Sequence, residues 1–325
     1  MPAEHNLTEV IPLSPEHRPL FSRTPVLFLC ALISCALWGS AIPCIKLSYA
    51  LFGIDTNHPG SLLLFAGLRF ALAGVLVLLA GSFMERRPLL PKKEDWPSIL
   101  KVSLFQTVLQ YLCYYLALRY TAGVTASILV GANTFFAIFI AALVFRMERL
   151  TGNKLAGCAV GFAGVVLSQL GGSFQFSFSF RGEGMILLST LSAAVSSALI
   201  RRYSAKISPV LLSGWQFLLG GLTLALAGIA MGGHWGIASP ASVGMLIYLA
   251  LVSAVAYTLW GCLLKCNPVS RVTVFGFLTP VFGVLLSALM LKETGGLGGR
   301  TFLALALVCL GILLVNRVSA SKTAS

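Results

Sequence analysis

Residues 60–82 read GSLLLFAGLRFALAGVLVLLAGS, 23 positions in which Arg69 is the only charged side chain. A membrane-spanning helix needs about 20 mostly apolar residues, so this run is long enough to cross a bilayer. A soluble amphipathic helix keeps one polar face, whereas this run is apolar on every side. Strands of a membrane barrel are about 10 residues long and alternate apolar with polar positions, which these residues do not.

Similar windows recur along the chain at 25–50, 97–119, 122–145, 152–170, 183–201, 209–230, 242–264, 268–291 and 300–316. The predicted fold class is therefore an all-α integral membrane protein of about ten transmembrane helices. Composition agrees, because 57% of the 325 residues are hydrophobic and 10% are charged, against about 25% charged in a soluble domain. Residues 1–24 are polar and carry Pro2, Pro12, Pro15 and Pro19. They lack the apolar core and small-residue exit of a secretory signal and read as a disordered cytoplasmic tail.

The formal charge is +13. Nucleic-acid binding requires Lys and Arg gathered on one solvent face, but here they are scattered between apolar runs, so no nucleic-acid partner is predicted. With the N-terminus inside, cytoplasmic segments hold Arg18 and Arg23, then Arg86, Arg87, Lys92 and Lys93, then Arg146, Arg149 and Lys154. Arg201, Arg202 and Lys206 follow, then Lys265, Arg317 and Lys322, while the opposite loops hold Arg119, Arg181, Lys292 and Arg300. Basic residues stay on the cytoplasmic side, which predicts both termini in the cytoplasm and a multi-pass protein of the inner (plasma) membrane.

The halves resemble each other at a shift of 145 to 147 residues. Gly131, Thr134 and Glu148 fall on Gly276, Thr279 and Glu293, Arg69-Phe70 with Gly74 on Gln216-Phe217 with Gly221, and Gly164 on Gly311. Such self-similarity marks a repeat architecture. Five helices per half is an odd number, so the second copy enters from the opposite side: two inverted five-helix repeats, residues 25–170 and 183–316, with a cytoplasmic tail at 317–325. Inverted repeats belong to carriers with a midplane site and alternating access.

Trp38-Gly39, Leu68-Arg69-Phe70, the run YYLALRYTAGVTASIL at 114–129, Thr279-Pro280-Val281 and Leu291-Lys292-Glu293 occur in this order. Together they resemble the drug/metabolite transporter superfamily, specifically its EamA-type ten-helix members, over nearly the whole chain after the tail. The resemblance implies an inner-membrane carrier, often an exporter, of amino acids, related metabolites or amphipathic drugs. Arg146-Met-Glu-Arg-Leu-Thr departs from the Glu-Pro-like exit common there, so a different turn within the same topology is expected.

Ser103, Gln106, Gln110 and Tyr114 share a face of the third helix, to line a watery cavity or to bond neighbouring helices. Ser253, Tyr257 and Trp260 make the matching face of the eighth, for a solute with one polar end or for packing. Asn133 lines the cavity or joins helices, and Trp38 and Thr279 join the candidate substrate-binding set through the motifs above. Gly39 precedes Pro43, and Gly276 precedes Pro280, by four residues, a spacing that eases a bend and makes these candidate hinges. Arg69 lies mid-helix, where an unpaired charge costs about 2.5 to 3.5 kcal/mol on the lenient insertion scale. It either holds a substrate carboxylate or bonds helix-end carbonyls, as Gln216 would in the other half. Lys46 is a weaker anion candidate, near enough to a helix end to snorkel.

The acidic residues fall in the tail, loops or helix ends, and the four histidines in the tail or outer loops. A proton-coupled exporter of cationic drugs needs an intramembrane carboxylate, so facilitated diffusion or exchange of a neutral or zwitterionic solute is expected. The eight cysteines lie singly in apolar segments and read as packing residues, with no metal and no cofactor predicted. No hydrolase, metalloprotease or nucleotide-binding motif is present. A secondary carrier of a small metabolite is the leading reading, a multidrug exporter the alternative, then a membrane-embedded enzyme or a channel. The predicted partners are the solute and membrane lipid, with a homo-oligomer left open.

Overall fold

A computed structural model describes residues 19–117, 120, 121, 123–169, 178–234, 236, 239–291 and 299–317. All regular structure among them is helical, in ten rods: α1 (Thr24–Phe52), α2 (Pro59–Glu85), α3 (residues 96–117), α4 (residues 123–144), α5 (Gly152–Gln169), α6 (Phe180–Tyr203), α7 (Pro209–Ala230), α8 (Pro240–Cys266), α9 (residues 269–291) and α10 (Gly299–Arg317). Among the described residues, six helical spans are long and apolar enough to cross a membrane. Most of the other rods are apolar over shorter lengths, as in Ile128–Val144, Gly152–Ser168 and Phe302–Asn316. Outward-facing Leu79, Phe83, Val144, Leu226 and Leu313 are more than half exposed, a surface suited to lipid rather than water.

Local chemistry sets the helix ends. Gly53 closes α1 at φ 61° and Arg86 closes α2 at φ 52°, left-handed caps that satisfy terminal carbonyls. Pro59, Pro209 and Pro240 open their helices where no amide donor is needed, and Ser239 and Ser242 cap α8 reciprocally.

Three rods are broken. In α3, Trp96–Ser103 and Gln110–Ala117 flank a widened π-helical stretch, Leu104–Leu109. In α4, Gly123–Gly131 is followed at Ala132 by a tight turn. In α9, a 3-10 turn at Val274–Phe277 separates Val269–Thr273 from Leu278–Leu291.

Packing pairs α2 with α7 and α5 with α10, while α1 lies on α8 and α9, and α6 on α3 and α4. Advancing each helix by five carries this set of pairings onto itself. The α2–α7 crossing is made by glycines. A Cβ on Gly67 would stand 2.2 Å from the Ala225 amide nitrogen, one on Gly74 2.7 Å from the Gly214 carbonyl, and one on Gly60 2.9 Å from that of Gly228. As the α2 number rises the α7 number falls, so these helices run antiparallel with backbones in contact. Gly157 and Gly164 meet Val315 and Val308 in the same descending order between α5 and α10. Removing side chains from a crossing is how membrane helices gain contact where the solvent is as apolar as leucine.

The end of the bundle carrying Arg86, Arg146, Lys206 and Lys265 is tied by polar contacts. Glu148, in the turn after α4, accepts from the Ser270 amide at 3.0 Å and from the Ser270 hydroxyl at the start of α9, and pairs with Lys154 at 2.5 Å. Arg146 takes φ 52° there, so the turn expected to differ is left-handed. Arg201 donates to the carbonyls of Leu264 and Asn267 beyond the end of α8, where a cation also meets the negative end of the helix.

The predicted tail is too long by a few residues: Leu20–Ser22 forms a helical turn, and Asn267 Nδ2 donates to the Phe21 carbonyl at 2.8 Å. Residues 1–18 and 318–325, Arg119, Lys292, Glu293 and with them the second repeat's acidic exit lie outside the described residues.

Gly67→Ala should lower the melting temperature of the detergent-solubilised protein, by the equivalent of about 1 to 3 kcal/mol of overpacking, because the opposing atoms are backbone and cannot turn aside. Gly244→Ala, with nothing within 4 Å of the new methyl group, should leave it unchanged or higher.

Candidate functional site

The buried apolar side chains fall into two large clusters, one toward each end of the bundle. Leu27, Ala31 and Cys35 of α1 join Leu263 and Leu264 of α8 near the basic end, while Cys44 and Phe52 join Leu249 and Val252 near the other. Between them lies a cavity of about 290 Å³, the lower end of the range for small-molecule sites. A wider depression of about 530 Å³ over the α4–α5 turn, lined by Leu143, Arg146 and Arg149, is open to the surface and holds none of the predicted site residues.

Each of the eight predicted substrate-binding residues lines the cavity. Trp38 comes from α1, Gln106, Gln110 and Tyr114 from α3, Asn133 from α4, Tyr257 and Trp260 from α8, and Thr279 from α9. Ser103, predicted on the same face of α3, does not line it, because the widened stretch at Leu104–Leu109 changes the register. Ser103 instead donates to the Gln216 carbonyl at 3.0 Å, and Thr107 to Gln216 Oε1 at 2.7 Å, both buried against α7. The π turn thus splits one polar stripe into a helix-joining part and a cavity-lining part, a common position for such turns. Within it the Phe105 carbonyl accepts from Ser192 of α6 at 2.7 Å.

The aromatic residues form one connected group. The Trp38 ring meets Tyr257 and Trp260 edge-on, each at 4.9 Å between centroids, and Tyr257 meets Phe217 at 4.9 Å. Phe217 stacks on Phe70 with planes 5° apart, joining equivalent positions of α2 and α7. The Tyr111 and Tyr257 hydroxyls lie 2.6 Å apart, so one donates and the other keeps its proton for a further acceptor. Among the described residues the Trp38 Nε1 and Asn133 Oδ1 atoms are buried without a partner.

Arg69 of α2 lines the same cavity and is 4% exposed. Its guanidinium carbon stands 4.3 Å from the Phe70 ring centroid and 6.0 Å from that of Tyr111, contacts worth up to about 2 kcal/mol when desolvated. Among the described residues it has no ion pair, and its Nε is buried without a hydrogen-bond partner. The expected bonds to helix-end carbonyls are absent there, and Gln216, at the equivalent place, turns instead to Thr107. Lys46 is exposed on α1 and does not line the cavity.

Of the predicted hinge pairs, Gly276 and Pro280 face the cavity and Gly276 lies in the broken turn of α9. α1 runs unbroken through Pro43, and at Gly39 a Cβ would meet that of Phe282 at 2.5 Å, so this glycine permits a close approach of α9. The second break is in α4 at Gly131, the repeat partner of Gly276, and it also lines the cavity. Carbonyls in the α9 break are occupied: Thr134 donates to Thr273 O at 3.0 Å and Cys35 to Phe275 O at 3.2 Å.

Sequence reasoning missed the hydroxyl wall of α6. Ser189, Thr190, Ser196 and Ser197 line the cavity with Ala193 between them, at the three-and-four spacing of one helix face, a signal the sequence contains. Among the described residues no cluster of His, Cys, Asp or Glu is arranged to hold a metal.

The sequence profile described as the EamA-like transporter family matches residues 26–170 and 180–317. A "Probable amino-acid metabolite efflux pump" of Escherichia coli is 30% identical, over 87% of this chain and 92% of that protein. An "Uncharacterized transporter" of Archaeoglobus fulgidus is 28% identical over 79% and 86%, and a "Probable terminal-alkyne amino-acid exporter" of Streptantibioticus cattleyicolor 27% identical over 86% and 90%. A crystal structure superposes at TM-score 0.74 with 20% identity, over 93% of this chain and all of the other, which speaks to the fold alone.

Thr107→Val should reduce melting stability by about 0.6 to 1.7 kcal/mol, the range for interhelical side-chain bonds in a membrane, because it strips the buried Gln216 Oε1 of its donor. Gln110→Ala, which loses a cavity-facing group, should leave it nearly unchanged.

Proposed function

The chain belongs to the EamA-like transporter family, and from that premise we propose that it is a secondary carrier of a small amphipathic metabolite, of the amino-acid class, bound in the central cavity. The observation that carries this reading is the convergence of the eight predicted residues, from five helices, on one mid-depth cavity. Aromatic rings on α1 and α8 suit an apolar body, and the hydroxyls of α6 suit a polar end. The volume of about 290 Å³ favours a metabolite over a large drug. The relatives named for amino-acid export point to the same class and to outward movement.

The mechanism in this proposal is alternating access between two inverted repeats. The antiparallel contact of α2 with α7 and of α5 with α10 supports it, since each pair joins equivalent helices of the two halves. Breaks at Gly131 and Gly276 fall beside the cavity, where interrupted helices mark carrier sites. Both termini and the basic end face the cytoplasm across the plasma membrane, following the distribution of Lys and Arg. No Asp, Glu or His lines the cavity among the described residues, which favours exchange or facilitated diffusion over proton coupling at this site.

Reconstituted protein should exchange labelled L-leucine or a related amino acid with saturation, and Gln110→Ala and Tyr257→Phe should each weaken it several-fold with the melting temperature nearly unchanged. Ohmic currents without saturation would establish a pore instead. In a cysteine-free background, Arg86→Cys and Lys206→Cys should react with an impermeant thiol reagent from the same membrane face. Labelling from opposite faces would overturn the topology.

A further inference from the structure

We propose that Arg69 is the carboxylate-binding residue of the cavity, so that the transported solute bears a single free carboxylate. The inference deepens the proposed function and rests on its placing of the solute in this cavity. Among the described residues Arg69 is the one charged side chain lining it, is 4% exposed and has no anionic partner. Its guanidinium carbon lies 4.3 Å from the Phe70 ring centroid and 6.0 Å from that of Tyr111. Contacts with a ring supply no lone pair, so the N–H groups, which are the hydrogen-bond donors, still call for an acceptor. Its Nε–H is one such buried and unused donor.

The chemistry of the missing acceptor follows from charge and geometry. A carboxylate matches the planar fork with two parallel bonds and, at one negative charge, neutralises the one cation of the cavity. A phosphate ester or dicarboxylate would bring a second negative charge to a wall with no second cation among the described residues. A purely cationic amphiphile would enter against a buried positive charge with no carboxylate to receive it. The Tyr111–Tyr257 hydroxyl pair is a further polar group on the same wall.

The Arg69–Gln216 exchange separates a binding role from a structural one. At the equivalent place in the other half a neutral amide accepts from Thr107 through Oε1 while its Nε2 is buried without a partner among the described residues, so the fold does not require a cation at this position of the helix. Binding explains why the arginine is present while its Nε–H goes unused.

Four probes sharing one branched chain test the proposal by thermal shift of the purified protein at fixed ionic strength: L-leucine, 4-methylpentanoate, L-leucinamide and isoamylamine. The two carboxylates should raise the melting temperature and the amide and amine should not. Arg69→Gln should abolish the carboxylate-dependent shift without lowering the melting temperature of the free protein. Arg69→Lys, which keeps the charge and loses the fork, should weaken binding about ten- to a hundred-fold. A shift from the amide or amine equal to that of L-leucine overturns the role of Arg69. If Gln110→Ala abolishes that shift too, the cavity stands as the solute site. No shift from either carboxylate at millimolar concentration, or an Arg69→Gln protein that melts well below the parent, also overturns it.

Discussion

Backbone contact through glycine is the constraint on which the arrangement depends. In lipid there is no hydrophobic drive to bring one apolar helix against another, so close approach must come from shape. Gly60, Gly67 and Gly74 on α2 meet α7, itself relieved at Gly214, Gly221 and Gly228, with spacings under 3 Å to an added Cβ. Gly157, Gly164 and Gly311 do the same for α5 and α10. With four helices committed to these two crossings, α1, α3, α4, α6, α8 and α9 are left around the cavity, and α2 contributes to its wall through Arg69.

The polar groups inside the bundle divide by whether the protein satisfies them. Ser103, Thr107 and Gln216 bond one another across α3 and α7, Ser192 takes up the Phe105 carbonyl of the widened turn, and Thr134 takes up that of Thr273. These pairings hold helices in register, though among the described residues Gln216 Nε2 and Thr258 Oγ1 are themselves buried without partners. Unpartnered groups also gather around the cavity. Among the described residues Trp38 Nε1, Asn133 Oδ1 and Arg69 Nε are buried without partners, and all three residues line the same space. Buried groups without partners are expected where water or a solute supplies them.

Most of this arrangement was legible because membrane helices announce themselves by length and because polar residues inside them are few. Gln106, Gln110 and Tyr114 were found by spacing alone, and Tyr257 and Trp260 by the match between α3 and α8. Ser103 takes the helix-joining one of the two roles open to the stripe, because the π turn at Leu104–Leu109 shifts the helical period between Ser103 and Gln110. Pro43 drew attention to α1, although a proline can be accommodated without interrupting a membrane helix. Gly131, which has no proline four residues on, marks the actual break in α4. Serines along α6 went unread because single hydroxyls in membrane helices usually bond their own backbone, as Thr190 does to the Ile186 carbonyl. Their shared face, rather than their polarity, was the useful signal.

The contacts between the halves are of two physical kinds, and the difference bears on how a carrier of this shape moves. The glycine crossings are apolar and close; separating them would open voids that lipid cannot fill without losing dispersion contacts. At the basic end, Glu148 reaches Ser270, Asn267 reaches Phe21, and Arg271 reaches Thr24 at 2.9 Å. Those groups lie at helix ends and, although Asn267 and Ser270 are buried in this state, an opening that admits water there replaces each bond as it breaks and so limits the net cost. A rocking motion that pivots on α2–α7 and α5–α10 while opening the polar end therefore keeps the expensive contacts and gives up the inexpensive ones. The breaks at Gly131 and Gly276 lie in α4 and α9, the helices that Glu148 and Ser270 join, so bending there can accompany opening of the end without disturbing either pivot.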